Sequence, residues 1–182
     1  MTDISRRTIL AGAGAAALLP AQANAATREE IDQRVETALQ LLFAQRPGAQ
    51  DLFNRSRGVL VMPAIREAGL FFGGAYGEGS LLIDGVPVAY YSVAVASFGL
   101  QIGAQFYRQA IFFLTDDALR GFRMSDGWEL AAEAEVAGDG EGYNLNVSTQ
   151  LSGRPIIAVT FGQDGAMISA SLEGAKYSLI PR

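Results

Sequence analysis

The chain contains no histidine and no cysteine, and it has a single lysine, Lys176. Without histidine or cysteine there is no imidazole base, no Ser-His-Asp or Cys-His nucleophile system, no thiolate redox chemistry, and no zinc or copper site built on imidazole or thiolate. Most common enzyme designs are thereby excluded. Without disulfides, the fold must rest on its apolar core. With 182 residues, 49% of them hydrophobic and only 18% charged, the chain has enough apolar material for one such core and too little charge for disorder. Fourteen basic residues against 19 acidic ones give a net charge of -5, which does not offer the field that nucleic-acid phosphates need. No nucleic-acid partner is expected, and neither is any cofactor or metal.

The first 25 residues read as an export signal and stand outside the fold. Arg6 and Arg7 form a twin arginine, followed by Ile9 and Leu10 and an uncharged Ala- and Gly-rich run to Leu19. That run is far shorter than the roughly 20 residues that cross a bilayer. Ala23 and Ala25 place small side chains at alternate positions, as signal peptidase requires, so cleavage is expected before Ala26. A Sec signal is the alternative to the twin-arginine route. No cysteine follows the apolar run, so a lipoprotein anchor is not expected. The mature protein, residues 26–182, is then a periplasmic or secreted single domain. Loss of Asp3, Arg6 and Arg7 changes its net charge to about -6.

Thr27 and Glu30 have the spacing of a capping box, and Ile31, Val35, Ala38, Leu39 and Leu42 follow as one apolar stripe of a helix. Arg46-Pro47-Gly48 stops it, and Ala49 to Arg55 is long enough for one or two further turns. The mixed charge of the polar face favours a helix that covers a sheet over one that lies on a membrane. From Gly58 the sequence turns to β-branched and aromatic runs. Strands are expected from Gly58 to Met62, closed by Pro63; from Leu70 to Ile83, ending at the hairpin turn Asp84-Gly85; and from Val86 to Ala96. A long run from Phe98 to Leu114 should bend near Gly99 or Gly103. Thr115 caps a short helix to Arg123. Further strands are expected over Trp128–Val136, Asn144–Leu151, Pro155–Phe161, Ala166–Leu172 and Lys176–Ile180, with a turn at Gln163-Asp164-Gly165. Short connections imply antiparallel pairing. The expected fold class is α+β: a curled antiparallel β-sheet or partly closed barrel with an N-terminal helix and short additional helices.

Three segments of the middle carry a family resemblance: Gly58-Val59-Leu60-Val61-Met62-Pro63, Phe72 to Gly79, and Ser97 to Gln105. With Leu114 to Leu119, Ser125-Asp126-Gly127-Trp128 and Ser171 to Gly174, they resemble the SYLF domain family over essentially the whole mature chain. The resemblance implies lipid binding without catalysis. Eukaryotic members associate with phosphoinositides and cortical actin, and bacterial members are exported. The acidic balance and the single lysine depart from the eukaryotic pattern.

Gly74, Gly77 and Gly79 weaken a strand unless a bend or a close backbone approach uses them, so they read as structural glycines, together with Gly99 and Gly103. A phosphate loop would need a Gly-Lys-Ser/Thr ending and a following helix, which are not there. Glu133 and Glu135 could share a strand face as a hydrolytic pair or be a solvated face. Asp139 to Asn144 lacks the full spacing of a calcium loop. Lipid chemistry needs cations for headgroup phosphates or apolar tips. The densest basic stretch supplies Arg46, Arg55, Arg57 and Arg66 as lipid-binding candidates, with separate surface arginines as the alternative. Leu70-Phe71-Phe72 reads as core rather than an insertion tip. The expected function is non-enzymatic binding of an anionic lipid or membrane surface. The alternative is a periplasmic structural or protein-interaction module that uses an open sheet edge.

Overall fold

A computed structural model describes residues 26–69, 72–98, 103–129, 134–137, 153–164 and 174–182. The export residues Arg6, Arg7, Ala23 and Ala25 lie outside these, as do Gly99, Leu70, Phe71, Glu133, 139–144 and the strands expected over Asn144–Leu151 and Ala166–Leu172.

Helix α1 (Arg28–Gln45) opens with the expected capping box: the Thr27 hydroxyl accepts from the Glu30 amide at 3.2 Å, and Glu30 accepts from the Thr27 amide at 3.0 Å. Its stripe of Ile31, Val35, Ala38 and Leu42 is buried, each large side chain stabilising the fold by about 1.5–3 kcal/mol. Gly48 at φ 88° turns the chain into α2 (Ala49–Arg55). Strands β1 (Gly58–Gly69), β2 (Phe72–Ile83), β3 (Val86–Phe98) and β4 (Gly103–Phe113) follow, then α3 (Asp116–Met124), capped by Thr115. Short β5 (Trp128–Glu129), β6 (Ala134–Ala137), β7 (Ile156–Asp164) and β8 (Lys176–Ile180) complete an eight-stranded sheet in the order β5-β8-β3-β2-β1-β4-β7-β6. Asp84 at φ 51° and Gly85 at φ 77° form the two positive-φ positions of a primed hairpin turn between β2 and β3. All pairs are antiparallel except β6 with β7, which is parallel.

The sheet is strongly curled, and side-chain contacts prove it. Strands β8 and β4 are four steps apart, about 19 Å in a flat sheet at ~4.8 Å per step. Yet the Tyr177 hydroxyl of β8 donates to Gln109 Oε1 of β4 at 2.5 Å. Trp128, one strand further out, has its ring 6.0 Å from that of Phe113 on β4. The concave face therefore holds Tyr177, Gln109, Tyr107, Phe113 and Tyr91, closed at one end by Leu119 and Phe122 of α3. The convex face carries α1 and α2 over Val59, Val61, Leu82, Ala110, Phe112 and Val159. Fold class and architecture are those expected from the sequence.

Several boundaries differ. Pro63 does not close a strand: β1 continues to Gly69 through a one-residue bulge. Three residues (Met62 to Ala64) separate Val61 from Ile65, while their partners Ser80 and Gly77 on β2 are separated by two. The strand tolerates proline because the ladder is already interrupted there. Phe98 to Leu114 is not one strand: Phe98 ends β3 beside Phe72, and Gly103 begins β4 opposite Gly69, on the far side of the β1–β2 pair. Trp128 to Val136 is likewise divided, with β5 and β6 at opposite edges of the sheet. Gln163 and Asp164 belong to β7 rather than to a turn.

The bulge explains two of the glycines. A Cβ on Gly77 would lie 2.5 Å from the Ala64 carbonyl oxygen, and one on Gly79 would overlap the Val61 carbonyl. The extra residue in β1 pushes its backbone into the space that β2 side chains would occupy. Gly74 is different, being exposed with only the Val95 carbonyl at 3.5 Å.

Candidate functional site

The bulge also decides which side of the sheet Arg66 faces. Val61 packs toward α1, and an unbroken alternation would send Ile65 the same way and Arg66 into the concave core. One extra residue inverts the alternation. Ile65 is fully buried on the concave face, and Arg66 stands exposed on the convex one.

There Arg66 is the register partner of Tyr76 on β2 and of Phe106 on β4. Tyr76 pairs with Ala94 on β3, and Ala94 with Lys176 on β8. Register partners present side chains to the same face. The sheet thus assembles a transverse row, Lys176–Ala94–Tyr76–Arg66–Phe106, from five strands. Lys176, Ala94, Tyr76 and Arg66 are exposed and Phe106 is half-buried. Tyr76 is 53% exposed, an unusually open position for an aromatic ring.

The surroundings hold the row in place. The Tyr76 hydroxyl donates to Glu78 Oε1 at 2.8 Å, and the same oxygen accepts from Arg182 Nη2 at 2.6 Å. Glu78 and Arg182 are largely buried, with side chains 15% and 16% exposed. This neutralises one carboxylate beside the row, whose end residues Lys176 and Phe106 have Glu129 and Asp164 as their outer register partners. The Tyr76 phenol is held above its ordinary pKa, chiefly by burial and then by its bond to Glu78. The Arg108 guanidinium lies 4.6 Å from the Phe106 ring centroid and donates to the Gly162 carbonyl at 2.9 Å. The Lys176 stem runs across Gly127. Among the described residues neither Arg66 nor Lys176 forms an ion pair, although Glu129 is the register partner of Lys176 at the sheet edge.

The four arginines singled out in the sequence do not form one patch. Arg46 caps α1 from a buried position, its Nη2 donating to the Thr160 carbonyl at 3.3 Å, and desolvation lowers its pKa. It ties the helix to β7. Arg55 is exposed at the end of α2, with Nε donating to the Asp51 carbonyl. Arg57 lies 3.8 Å from Asp116 in an open ion pair, with side chains 60% and 72% exposed. Eight residues of β1, Gly58 to Ile65, separate Arg57 from Arg66, roughly 25–30 Å at ~3.3 Å per residue. Of the four, only Arg66 joins the row. Tyr76, Phe106, Arg108 and Lys176 come to it from other strands.

Two surface clefts lie elsewhere. One of about 310 Å³ is bordered by Phe53, Asn54, Gly58 and Asp84, and one of about 450 Å³ by Leu119, Arg120, Arg123 and Met124 on α3. No group of three or more acidic residues able to hold a metal ion occurs among the described residues. No described helix is long and apolar enough to cross a membrane.

No family model matches the chain. It is 29% identical over 151 residues to Beta cell expansion factor A of Aeromonas veronii, an alignment covering 82% of this chain and 56% of that protein. The chain thus spans little more than half the length of this distant relative.

Proposed function

We propose that this protein is exported and binds anionic lipid surfaces without chemical turnover, using the convex row centred on Tyr76 and Arg66, and that it is a SYLF-type domain. The observation that carries the proposal is the row itself: two cations that form no ion pair among the described residues flank an exposed tyrosine on a stretch of sheet beyond the cover of α1. Tyrosine suits the headgroup level because its ring is apolar and its hydroxyl polar. Arginine and lysine reach phosphates while their stems lie on apolar surface. The resemblance of Gly58 to Pro63, Phe72 to Gly79 and Ser97 to Gln105 to SYLF domains supports the same reading.

The expected affinity is modest. Each cation at an anionic surface contributes about 1 kcal/mol, and the net charge of about -6 on the mature chain opposes approach. Sedimentation with anionic and neutral vesicles over a salt series tests the proposal. Binding should require anionic lipid, weaken with salt, and fall about 10- to 30-fold in the Arg66→Gln/Lys176→Gln double variant. Salt-insensitive binding that the double variant retains would reject the row as the contact. No vesicle binding, together with capture of a protein at a sheet edge, would favour the interaction module instead.

A further inference from the structure

The spacing of the row points to a particular headgroup. Resting on the lipid-binding reading above, we infer that Lys176 and Arg66 together select a lipid whose headgroup carries two phosphates at its two ends, such as a disaccharide phosphorylated on both sugars. Lys176 and Arg66 are three strand intervals apart through Ala94 and Tyr76. At ~4.8 Å per interval their backbones are separated by about 14 Å. The row lies on the convex face, where side chains diverge, so the charged tips are separated by at least a similar distance. A single phosphate is far too small to touch both.

Each cation has a defined place in the ladder. The Lys176 stem lies against Gly127, where a Cβ would come within 3.0 Å of the lysine Nζ. Arg66 stands between Tyr76 and Phe106 in the ladder, and Tyr76 is in turn fixed by Glu78 and Arg182. Between the cations the row offers only Ala94 and the ring of Tyr76. A sugar ring can lie on such a low, partly aromatic floor, with its phosphates reaching outward to either side. Two cations set three strand intervals apart gain most from two phosphates that are already joined at a matching distance, because the second contact is then intramolecular. Glu129 beyond Lys176 disfavours any negative group placed past the lysine, which sets an outer limit to the ligand.

The test uses the exported protein and phosphatidylcholine vesicles doped with a bisphosphorylated disaccharide lipid, its monophosphorylated counterpart, or phosphatidylglycerol, at contents giving equal surface charge. Wild type, Lys176→Gln, Arg66→Gln and the double variant are compared. Both residues are exposed, so the variants should melt within a degree or two of the parent. The expected result is about tenfold tighter binding to the bisphosphorylated lipid than to either other vesicle. Each single variant should lose most of that preference, and the double variant should lose little more. Equal binding of wild type to all three vesicles, or independent losses at the two positions, would overturn the inference while leaving lipid binding intact. Binding to none of the vesicles would overturn both.

Discussion

Replacing Gly79 by alanine tests the link between the β1 bulge and everything built upon it. The new Cβ would overlap the Val61 carbonyl and come within 2.8 Å of the Met62 sulfur, and Val61 is the last residue before the bulge. The carbonyl belongs to a fully buried stretch of the central strand and has nowhere to retreat. Overpacking of this kind costs about 1–3 kcal/mol, offset by about 0.4–1 kcal/mol from the stiffer unfolded chain. The net loss of roughly 1–2 kcal/mol corresponds to a fall in Tm of about 2–8 °C for a domain of this size. Gly77→Ala should behave alike, since its Cβ meets the Ala64 carbonyl at 2.5 Å. Gly77→Val should disrupt folding outright, because its branched side chain needs more of the same space. The double alanine variant should lose less than the sum of the two single losses, because one shift of the bulge relieves both. Gly74→Ala is the control: with its nearest contact at 3.5 Å, it should leave Tm unchanged or raise it slightly. Calorimetry of the five variants decides the matter. A Gly79→Ala variant that melts with the parent, or a Gly74→Ala variant that falls as far, would refute the claim that the bulge dictates these glycines.

Other consequences are equally open to measurement. Tyr177→Phe leaves Gln109 Oε1 without its buried donor and should cost about 1–3 kcal/mol, read as a lower denaturation midpoint, with Gln109→Leu added to Tyr177→Phe restoring part of the loss. Burial pushes the Tyr177 phenol far above its ordinary value, and Tyr76, Tyr90 and Tyr91 are raised too. Above about pH 10 the unfolded chain releases phenol protons that the folded chain retains, so stability should fall with rising pH there. The Tyr177 tyrosinate absorbance should appear only with unfolding. Arg46→Gln removes the buried link to Thr160 and should lower Tm by several degrees while vesicle binding stays intact, whereas Arg66→Gln should do the reverse. Replacing Arg6 and Arg7 by lysine should leave unprocessed precursor in the cell if the twin-arginine route is used, and mass spectrometry of the exported wild type should find Ala26 at its amino terminus.

Local signals in the sequence account for the elements whose determinants are themselves local. The capping box at Thr27 and Glu30, the stripe from Ile31 to Leu42, the Asp84-Gly85 turn and the Thr115 cap each involve residues a few positions apart, and each forms as read. The fold class follows from the same signals, because short connections force neighbouring strands to run antiparallel. The glycines at 77 and 79 were also legible as positions that a bend or a close approach must use, although which of the two was not: the Val61 and Ala64 carbonyls that crowd them lie more than ten residues away, on another strand.

The candidate site was mostly hidden for that reason. Arg66 could be picked out by its basic neighbours, but those neighbours are dispersed: Arg46 into a buried cap, Arg55 and Arg57 to the opposite end of β1. Its true companions, Tyr76, Phe106 and Lys176, are 10, 40 and 110 positions away in the chain. Strand pairing alone brings them together, and no local pattern encodes which strands become neighbours. The division of Trp128 to Val136 between two sheet edges, and of Phe98 to Leu114 between two strands, are decisions of the same kind. What the sequence determined by itself was the set of elements, their caps and turns, and the chemistry the chain could not perform. Tertiary structure decided the faces. A single extra residue at Pro63 inverts the alternation of β1, and only because the sheet curls around its concave core does that inversion leave Arg66 on the outside, in line with an exposed tyrosine and the only lysine.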